Sequence, residues 1–178
     1  MKKTLLSAVM IASFGIAALA SMSARATSSG TINFKGTVLA DTCTISVNGS
    51  PSSTVTLPTV MTAAFGTTIG STAGATPFTV ALTGCDTNTK SAQMAFNGTQ
   101  IDGATGNLKN ATSGGSNVEI QLSSSSGFIN TSTQANAPLI NVTSGAGSTS
   151  LTAQYISTAT TTTAGLVTSS VGFTLTYQ

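Results

Sequence analysis

The chain has 178 residues, of which 6 are lysine or arginine and 4 are aspartate or glutamate; it contains two cysteines and no histidine. Without histidine a Ser-His-Asp triad and a histidine-based zinc site are excluded, and two cysteines cannot supply a four-thiolate site. Disordered chains usually combine low hydrophobicity with high net charge, whereas this chain is 40% hydrophobic and nearly uncharged, so we predict an ordered domain.

The first 26 residues have the pattern of a secretory signal peptide. A basic pair at positions 2–3 precedes a mostly apolar run at 5–20, and small residues at 24 and 26 form a cleavage pattern. A membrane anchor is the less favoured alternative, because the apolar run is short for a bilayer span. We therefore expect export and a mature chain of residues 27–178, in which three lysines and four carboxylates leave no basic patch for nucleic acid.

The mature chain begins with an alternating stretch that predicts a β-strand. One face of the extended chain carries apolar residues and a single glycine, and the other face is polar. Taken alone, this pattern favours an ordinary N-terminal strand paired within its own domain. The residues on the first face are Ile32, Phe34, Gly36 and Val38.

Cys43 and Cys85 are the two cysteines of the chain. Disulfides form in exported proteins, where the compartment is oxidising, and a single pair in such a chain is expected to be bonded. We therefore predict one disulfide between these residues.

The remainder of the chain consists of short alternating runs separated by polar loops. Turn signals at Asn97-Gly98 and Asp102-Gly103 support an arrangement of many short strands, which is typical of a β-sandwich. Convincing helical periodicity is not found after the signal peptide, and residues 59–65 could form one short turn at most. The alternating runs lie at residues 55–57, 78–82, 94–96, 118–122, 151–155 and 167–177.

The polar residues do not form a catalytic constellation. The carboxylates are scattered, which disfavours a paired-carboxylate glycosidase. The glycine-rich stretch at residues 66–74 lacks the lysine of a phosphate-binding loop and is expected to be a flexible loop. We predict that the protein is not an enzyme and has no cofactor and no metal site.

Three features in order carry a resemblance to a known family. The alternating stretch with its glycine precedes Cys43, Cys85 ends a strand in ALTGCD, and Tyr177 is penultimate with Gly165 fourteenth from the end. In this combination the chain resembles a pilin of the chaperone–usher fimbrial pathway and is most similar to the major rod subunits of type 1-like fimbriae.

The resemblance implies an all-β fold: an incomplete immunoglobulin-like β-sandwich that lacks its last strand and is completed by a donor strand from another subunit. It divides the chain into a signal peptide (1–26), a donor-strand extension (27–41) and a pilin domain (42–178). The alternating face of the extension, Ile32, Phe34, Gly36 and Val38, would be the donor. The strand that flanks the acceptor groove and pairs with the chaperone would contain Gly165, Val171, Phe173, Leu175 and Tyr177.

The resemblance also implies a structural function. The chain would be a subunit of an adhesive surface fimbria, exported through the periplasm, bound there by a chaperone, delivered to an outer-membrane usher, and polymerised head to tail with copies of itself and with other pilus subunits. A minor adaptor or terminator subunit is the alternative within the family. A monomeric secreted carbohydrate-binding sandwich is the alternative from another class, although the absence of tryptophan disfavours it.

Overall fold

The computed structural model describes Thr31, Asn33, Lys35 and residues 43–51 and 54–178. The predicted signal peptide lies outside the described residues. The chain divides into two compact units, residues 1–36 and 37–178, and the strands belong to the second. In the described part of this unit the elements are β1 Thr44–Val47, the 3₁₀ helix η1 Thr62–Phe65, β2 Thr72–Thr83, β3 Ser91–Asn97, β4 Val118–Ser124, β5 Gly127–Ile129, β6 Leu139–Asn141, β7 Gly147–Ser157 and β8 Gly172–Tyr177.

The strands form two antiparallel sheets. The larger sheet has the order β1-β2-β7-β4-β5, and the smaller has the order β6-β3-β8. Residues of both sheets contribute to a single hydrophobic core, so the sheets are the two layers of a sandwich. The predicted all-β sandwich is confirmed. No helix among the described residues is long and apolar enough to cross a membrane.

The core follows from the alternation that the sequence shows. In β3, Ala92, Met94 and Phe96 are buried while the residues between them are half-buried. Leu82 of β2 and Ile140 of β6 are both fully buried, at 0% exposure. Burying a large apolar side chain contributes about 1.5–3 kcal/mol, so these strands account for much of the stability of the sandwich.

The disulfide joins the two strands at one edge of the larger sheet. Cys43 and Cys85 are bonded with an S–S distance of 2.01 Å. They stand just outside the first ladder pair of β1 and β2, Thr44 with Thr83, so the bridge reinforces a pairing that the backbone already makes.

Two predicted strands differ from the observed elements. The run around Val55 and Leu57 forms no strand, although burial still alternates there, because no described residue pairs with its backbone. In the run at residues 167–177, burial alternates throughout but the strand begins at Gly172. Both differences concern segments that pair with no neighbouring strand among the described residues. The single turn expected at residues 59–65 is η1.

Candidate functional site: an open groove along the last strand

Two cavities lie between the same two segments, which we call the N-terminal wall (residues 54–65) and the C-terminal wall (residues 162–173). The apolar chamber has a volume of about 450 Å³ and lies between Val55 and Leu57 on one wall and Val171 and Phe173 on the other. The end chamber has a volume of about 640 Å³ and lies between residues 59–65 and 162–167. We call the two chambers together the groove.

The floor of the apolar chamber is the inner face of the larger sheet. Strands β2, β4 and β7 supply it, and several of its residues also belong to the hydrophobic core. Phe78 and Ile120 are only half-buried, although their strands are central in the sheet. The groove is therefore the interior of the sandwich, open along one side. The floor residues are Phe78, Val80, Ile120, Leu122, Leu151 and Ala153.

β8 borders the groove with an unpaired backbone edge. It pairs with β3 on one side, and no described residue pairs with its other side. Just beyond the strand, Ser91 and Gln178 exchange two backbone hydrogen bonds, of 3.2 and 2.9 Å. Because such exchanges recur at every second residue of an antiparallel pair, Thr174 and Thr176 direct their backbone groups at β3.

The residues between them therefore direct their N–H and C=O groups at the open edge. These are Phe173, Leu175 and Tyr177, whose half-buried side chains pack against the core. An added strand could hydrogen-bond to these backbone groups and insert every second side chain into the groove.

No described residue forms a backbone hydrogen bond with residues 54–60 of the N-terminal wall. Val55, Leu57 and Val60 are half-buried, and the residues between them are exposed. Met61 on this wall and Leu166 on the C-terminal wall both line the end chamber, yet they are 81% and 75% exposed. Large apolar side chains thus stand uncovered on both walls of that chamber.

Glycine at position 165 is required by a close approach of two backbones. A Cβ atom there would lie 2.6 Å from the backbone nitrogen of Ser116 and 2.7 Å from the carbonyl carbon of Gly115. A Cβ on Gly115 would in turn lie 2.3 Å from the carbonyl oxygen of Leu166. The C-terminal wall can therefore pack against the loop at residues 110–117 only because both positions lack a side chain.

The groove is nearly free of ionisable groups. No aspartate, glutamate, lysine or arginine is found among the described residues that line either chamber. Tyr155 is the ionisable residue in the lining, and burial raises the pKa of its phenol. Nor do the described residues contain a cluster of three or more His, Cys, Asp or Glu that could hold a metal ion. Recognition in this groove would rest on apolar contact and backbone hydrogen bonds.

The residues predicted for the acceptor strand fall into two groups. Gly165 lines the end chamber, and Val171 and Phe173 line the apolar chamber. Leu175 and Tyr177 lie further along β8, pack against the core and line neither chamber.

The predicted donor strand is not tested by the structure, and the N-terminal wall was not predicted as part of the site. The donor residues Ile32, Phe34, Gly36 and Val38 lie outside the described residues, so their role stays a prediction. Sequence reasoning missed the N-terminal wall, whose signal was the alternation of Val55 and Leu57.

Sequence comparisons relate the chain to fimbrial proteins. A family model described as fimbrial protein matches residues 32–178. The chain is 38% identical over 176 residues to the F17 fimbrial protein of Escherichia coli, which covers 92% of this chain and 96% of that relative. It is 36% identical over 159 residues to the major fimbrial subunit SMF-1 of Stenotrophomonas maltophilia, covering 84% and 92% of the two chains.

Solved structures agree with this relation at the level of the fold. A subunit in a chaperone–usher pilus whose structure explains rod uncoiling has a TM-score of 0.62 at 21% identity, covering 85% of this chain and 96% of that one. The P pilus rod subunit PapA has a TM-score of 0.61 at 19% identity, covering 78% and 100%. The sandwich with its two sheets is thus the fold of these pilus subunits.

Proposed function

The chain belongs to the fimbrial protein family and is a fimbrial subunit, and we propose that it polymerises by donor-strand exchange through the groove between the N-terminal and C-terminal walls. One observation carries this proposal: the apolar interior of the sandwich is open beside β8, whose outer backbone edge pairs with no described residue. A groove with these two properties accepts a β-strand.

The proposed occupant is the segment of residues 27–41 of another copy. Its apolar positions recur at every second residue, as the pleat of an added strand requires. Ile32, Phe34 and Val38 enter the groove, while Gly36 lies where the acceptor backbone comes close. The lack of charge in the groove suits such a face, and each large side chain contributes about 1.5–3 kcal/mol on burial.

The same arrangement leads to a filament. Donor and acceptor are different parts of the chain, so the contact is heterologous, and a heterologous contact that does not close into a ring continues indefinitely. We propose that the chain is the rod-forming subunit of an extracellular, cell-surface fimbria and that its role is structural and not catalytic. Relatives named as a fimbrial protein and a major fimbrial subunit support this role.

The open groove also explains why other partners are needed. An exposed apolar surface beside an unpaired strand edge promotes aggregation. We propose that a periplasmic chaperone covers the groove after export and that an outer-membrane usher replaces the chaperone with the next subunit. The signal-peptide pattern at residues 1–26 supports passage through the periplasm.

A pair of full-length variants tests the donor role. Phe34→Asp places a charge on the donor face, whereas Asn33→Asp places the same charge on the opposite face of the strand. Exported chain is refolded with its disulfide intact and examined by sedimentation and negative-stain electron microscopy. Wild type and Asn33→Asp should form filaments, and Phe34→Asp should remain unpolymerised.

A complementation step then tests the acceptor. A synthetic peptide of residues 27–41 added to the Phe34→Asp chain should raise its melting temperature and dissociate slowly. Normal filaments from Phe34→Asp would contradict the donor assignment. A wild-type chain that stays monomeric and does not respond to the peptide would contradict the whole proposal and would favour a sandwich that works alone.

A further inference from the structure

Residues 162–171, which make up most of the C-terminal wall, belong to neither sheet. Strand β7 ends at Ser157 and β8 begins at Gly172, and the segment between them contains no strand. Even so, residues 162–167 line the end chamber. Some contact other than a sheet ladder must hold this wall in position before the groove is filled.

The first such contact is the side chain of Asn117. Its Nδ2 donates to the carbonyl oxygen of Thr161 at 2.9 Å, and its Oδ1 accepts from the backbone N–H of Thr163 at 2.8 Å. The backbone N–H of Asn117 donates to the Oγ1 of Thr163 at 3.0 Å. The amide therefore binds a backbone carbonyl directly before the wall and a backbone N–H within it, as a neighbouring strand would do.

The second contact is the side chain of Asn110, five residues further along the wall. Its Nδ2 donates to the carbonyl oxygens of Leu166 and Ser116, both at 2.8 Å. Its Oδ1 accepts from the backbone N–H groups of Thr168, at 3.0 Å, and Thr112, at 2.9 Å. The amide of Asn110 thus connects the C-terminal wall to the loop at residues 110–117, and it also makes two hydrogen bonds within that loop.

Backbone contacts complete the attachment at this end. The N–H of Ala111 donates to the carbonyl of Thr168 at 2.7 Å, and the N–H of Ser116 donates to the carbonyl of Leu166 at 3.2 Å. The loop at residues 110–117 thereby takes the place of a neighbouring strand along the wall.

We propose that Asn110 and Asn117 are positioning residues that hold the C-terminal wall in its open position and so govern how fast the groove admits a donor strand. This inference rests on the proposed function. Without the two amides, Leu166 and Val167 would be free to turn towards Val60 and Met61 across the end chamber. The fraction of molecules able to accept a strand would fall, and apparent affinity falls in proportion to that fraction.

A positioning role differs measurably from a purely structural one. Once the groove is filled, the bound strand occupies the space into which the wall would move. Loss of an amide should therefore slow association and leave dissociation almost unchanged. A residue that only stabilised the fold would lower the melting temperatures of the empty and the filled chain alike, without a selective effect on association.

The experiment uses the full exported chain carrying Phe34→Asp, which can accept a strand and cannot donate one. Association and dissociation of a fluorescent peptide of residues 27–41 are followed by anisotropy in this parent and in its Asn110→Ala and Asn117→Ala derivatives. Asn88→Ala is the matched control, because Asn88 is exposed and its side chain makes no hydrogen bond within the described part of the chain. Asn110→Ala and Asn117→Ala should each associate with the peptide at least fivefold more slowly than the parent, and their dissociation rates should lie within twofold of the parent's.

Two further variants keep the test decisive if an alanine derivative does not fold. Thr163→Val removes one exposed acceptor of the Asn117 contact and should slow association by a smaller factor. A Thr112→Cys, Thr168→Cys pair replaces hydroxyls that lie 2.8 Å apart, so that a cross-link can fasten the wall to the loop. In the Asn110→Ala background this cross-link should restore the parent's association rate.

The outcomes separate the two proposals. A parent chain that binds no peptide would refute donor-strand exchange itself. The positioning role would be refuted if the parent binds the peptide and the Asn110→Ala and Asn117→Ala derivatives associate at the parent's rate. It would also be refuted if the cross-link does not restore the association rate. Either result would leave the proposed function intact.

Discussion

Gly165→Ala should move the C-terminal wall away from the loop that supports it. The added Cβ would lie 2.6 Å from the backbone nitrogen of Ser116 and 2.7 Å from the carbonyl carbon of Gly115. Since both are backbone atoms, no side-chain rotation relieves the overlap. Forcing an extra carbon into such a contact typically costs about 1–3 kcal/mol.

Thermal unfolding of the Phe34→Asp chain with the peptide of residues 27–41 bound measures this cost. For a chain of this size each kcal/mol changes the melting temperature by about 2–4 °C, so the expected fall is roughly 2–12 °C. Gly103→Ala is the control, because a Cβ there meets no atom within 4 Å and Gly103 does not have a positive φ. It should be neutral or stabilise by up to about 1 kcal/mol, since alanine restricts the unfolded chain.

A double-mutant cycle tests whether the two glycines form one contact. Gly115→Ala would place its Cβ 2.3 Å from the carbonyl oxygen of Leu166, which lies beside Gly165. Either substitution alone separates the same two backbones, so the combined loss should be clearly smaller than the sum of the single losses. Equal melting temperatures for Gly165→Ala and Gly103→Ala, or fully additive glycine effects, would refute the reasoning.

Three other substitutions probe the sandwich away from the groove. Cys43→Ser should lower stability by about 4 kcal/mol on the chain-entropy model for a separation of 42 residues, measured by denaturant unfolding under non-reducing conditions. Leu82→Ala, at a fully buried position, should lower it by about 2–5 kcal/mol in the same assay. The backbone N–H of Ala104 is the main cause that lowers the pKa of Asp102. The carboxylate of Asp102 therefore stabilises the fold at pH values above its unfolded pKa of about 3.9, and this stabilisation is lost as the pH falls through the lower folded pKa. Asp102→Asn should remove this loss, which is measured by comparing the free energy of unfolding at pH 5 and at pH 2.5.

The strands that could be predicted are those whose alternation is long enough to recognise. Seven residues of β3 and eleven of β7 repeat the pattern several times. β5 and β6 have three residues each, too few for a period to appear, and they depend on pairing with neighbours that are distant in sequence. The prediction of a strand at residues 55–57 was wrong for the opposite reason: the pattern there is that of a strand, but a strand also needs a partner strand to pair with.

The candidate site was predictable only in part. The acceptor residues Val171 and Phe173 follow from the pattern of the last strand together with the family resemblance. Asn110 and Asn117 could not be recognised, because a side-chain amide that binds the backbone of residues 44 to 58 positions away leaves no local signal. Neither the turn signals nor the hydrophobic pattern of the intervening chain indicates that these two segments meet.

The half-buried floor of the groove connects folding to assembly. Phe78 and Ile120 lie in central strands of the larger sheet, where a complete sandwich would cover them. Their side chains are left partly exposed because β8 has no neighbour among the described residues on the groove side. The area that a donor strand would cover is thus interior surface that the chain does not bury itself. Under the proposed mechanism, the free energy that completes the core is released only when subunits join, so the stability of each subunit and the strength of the filament come from the same contacts.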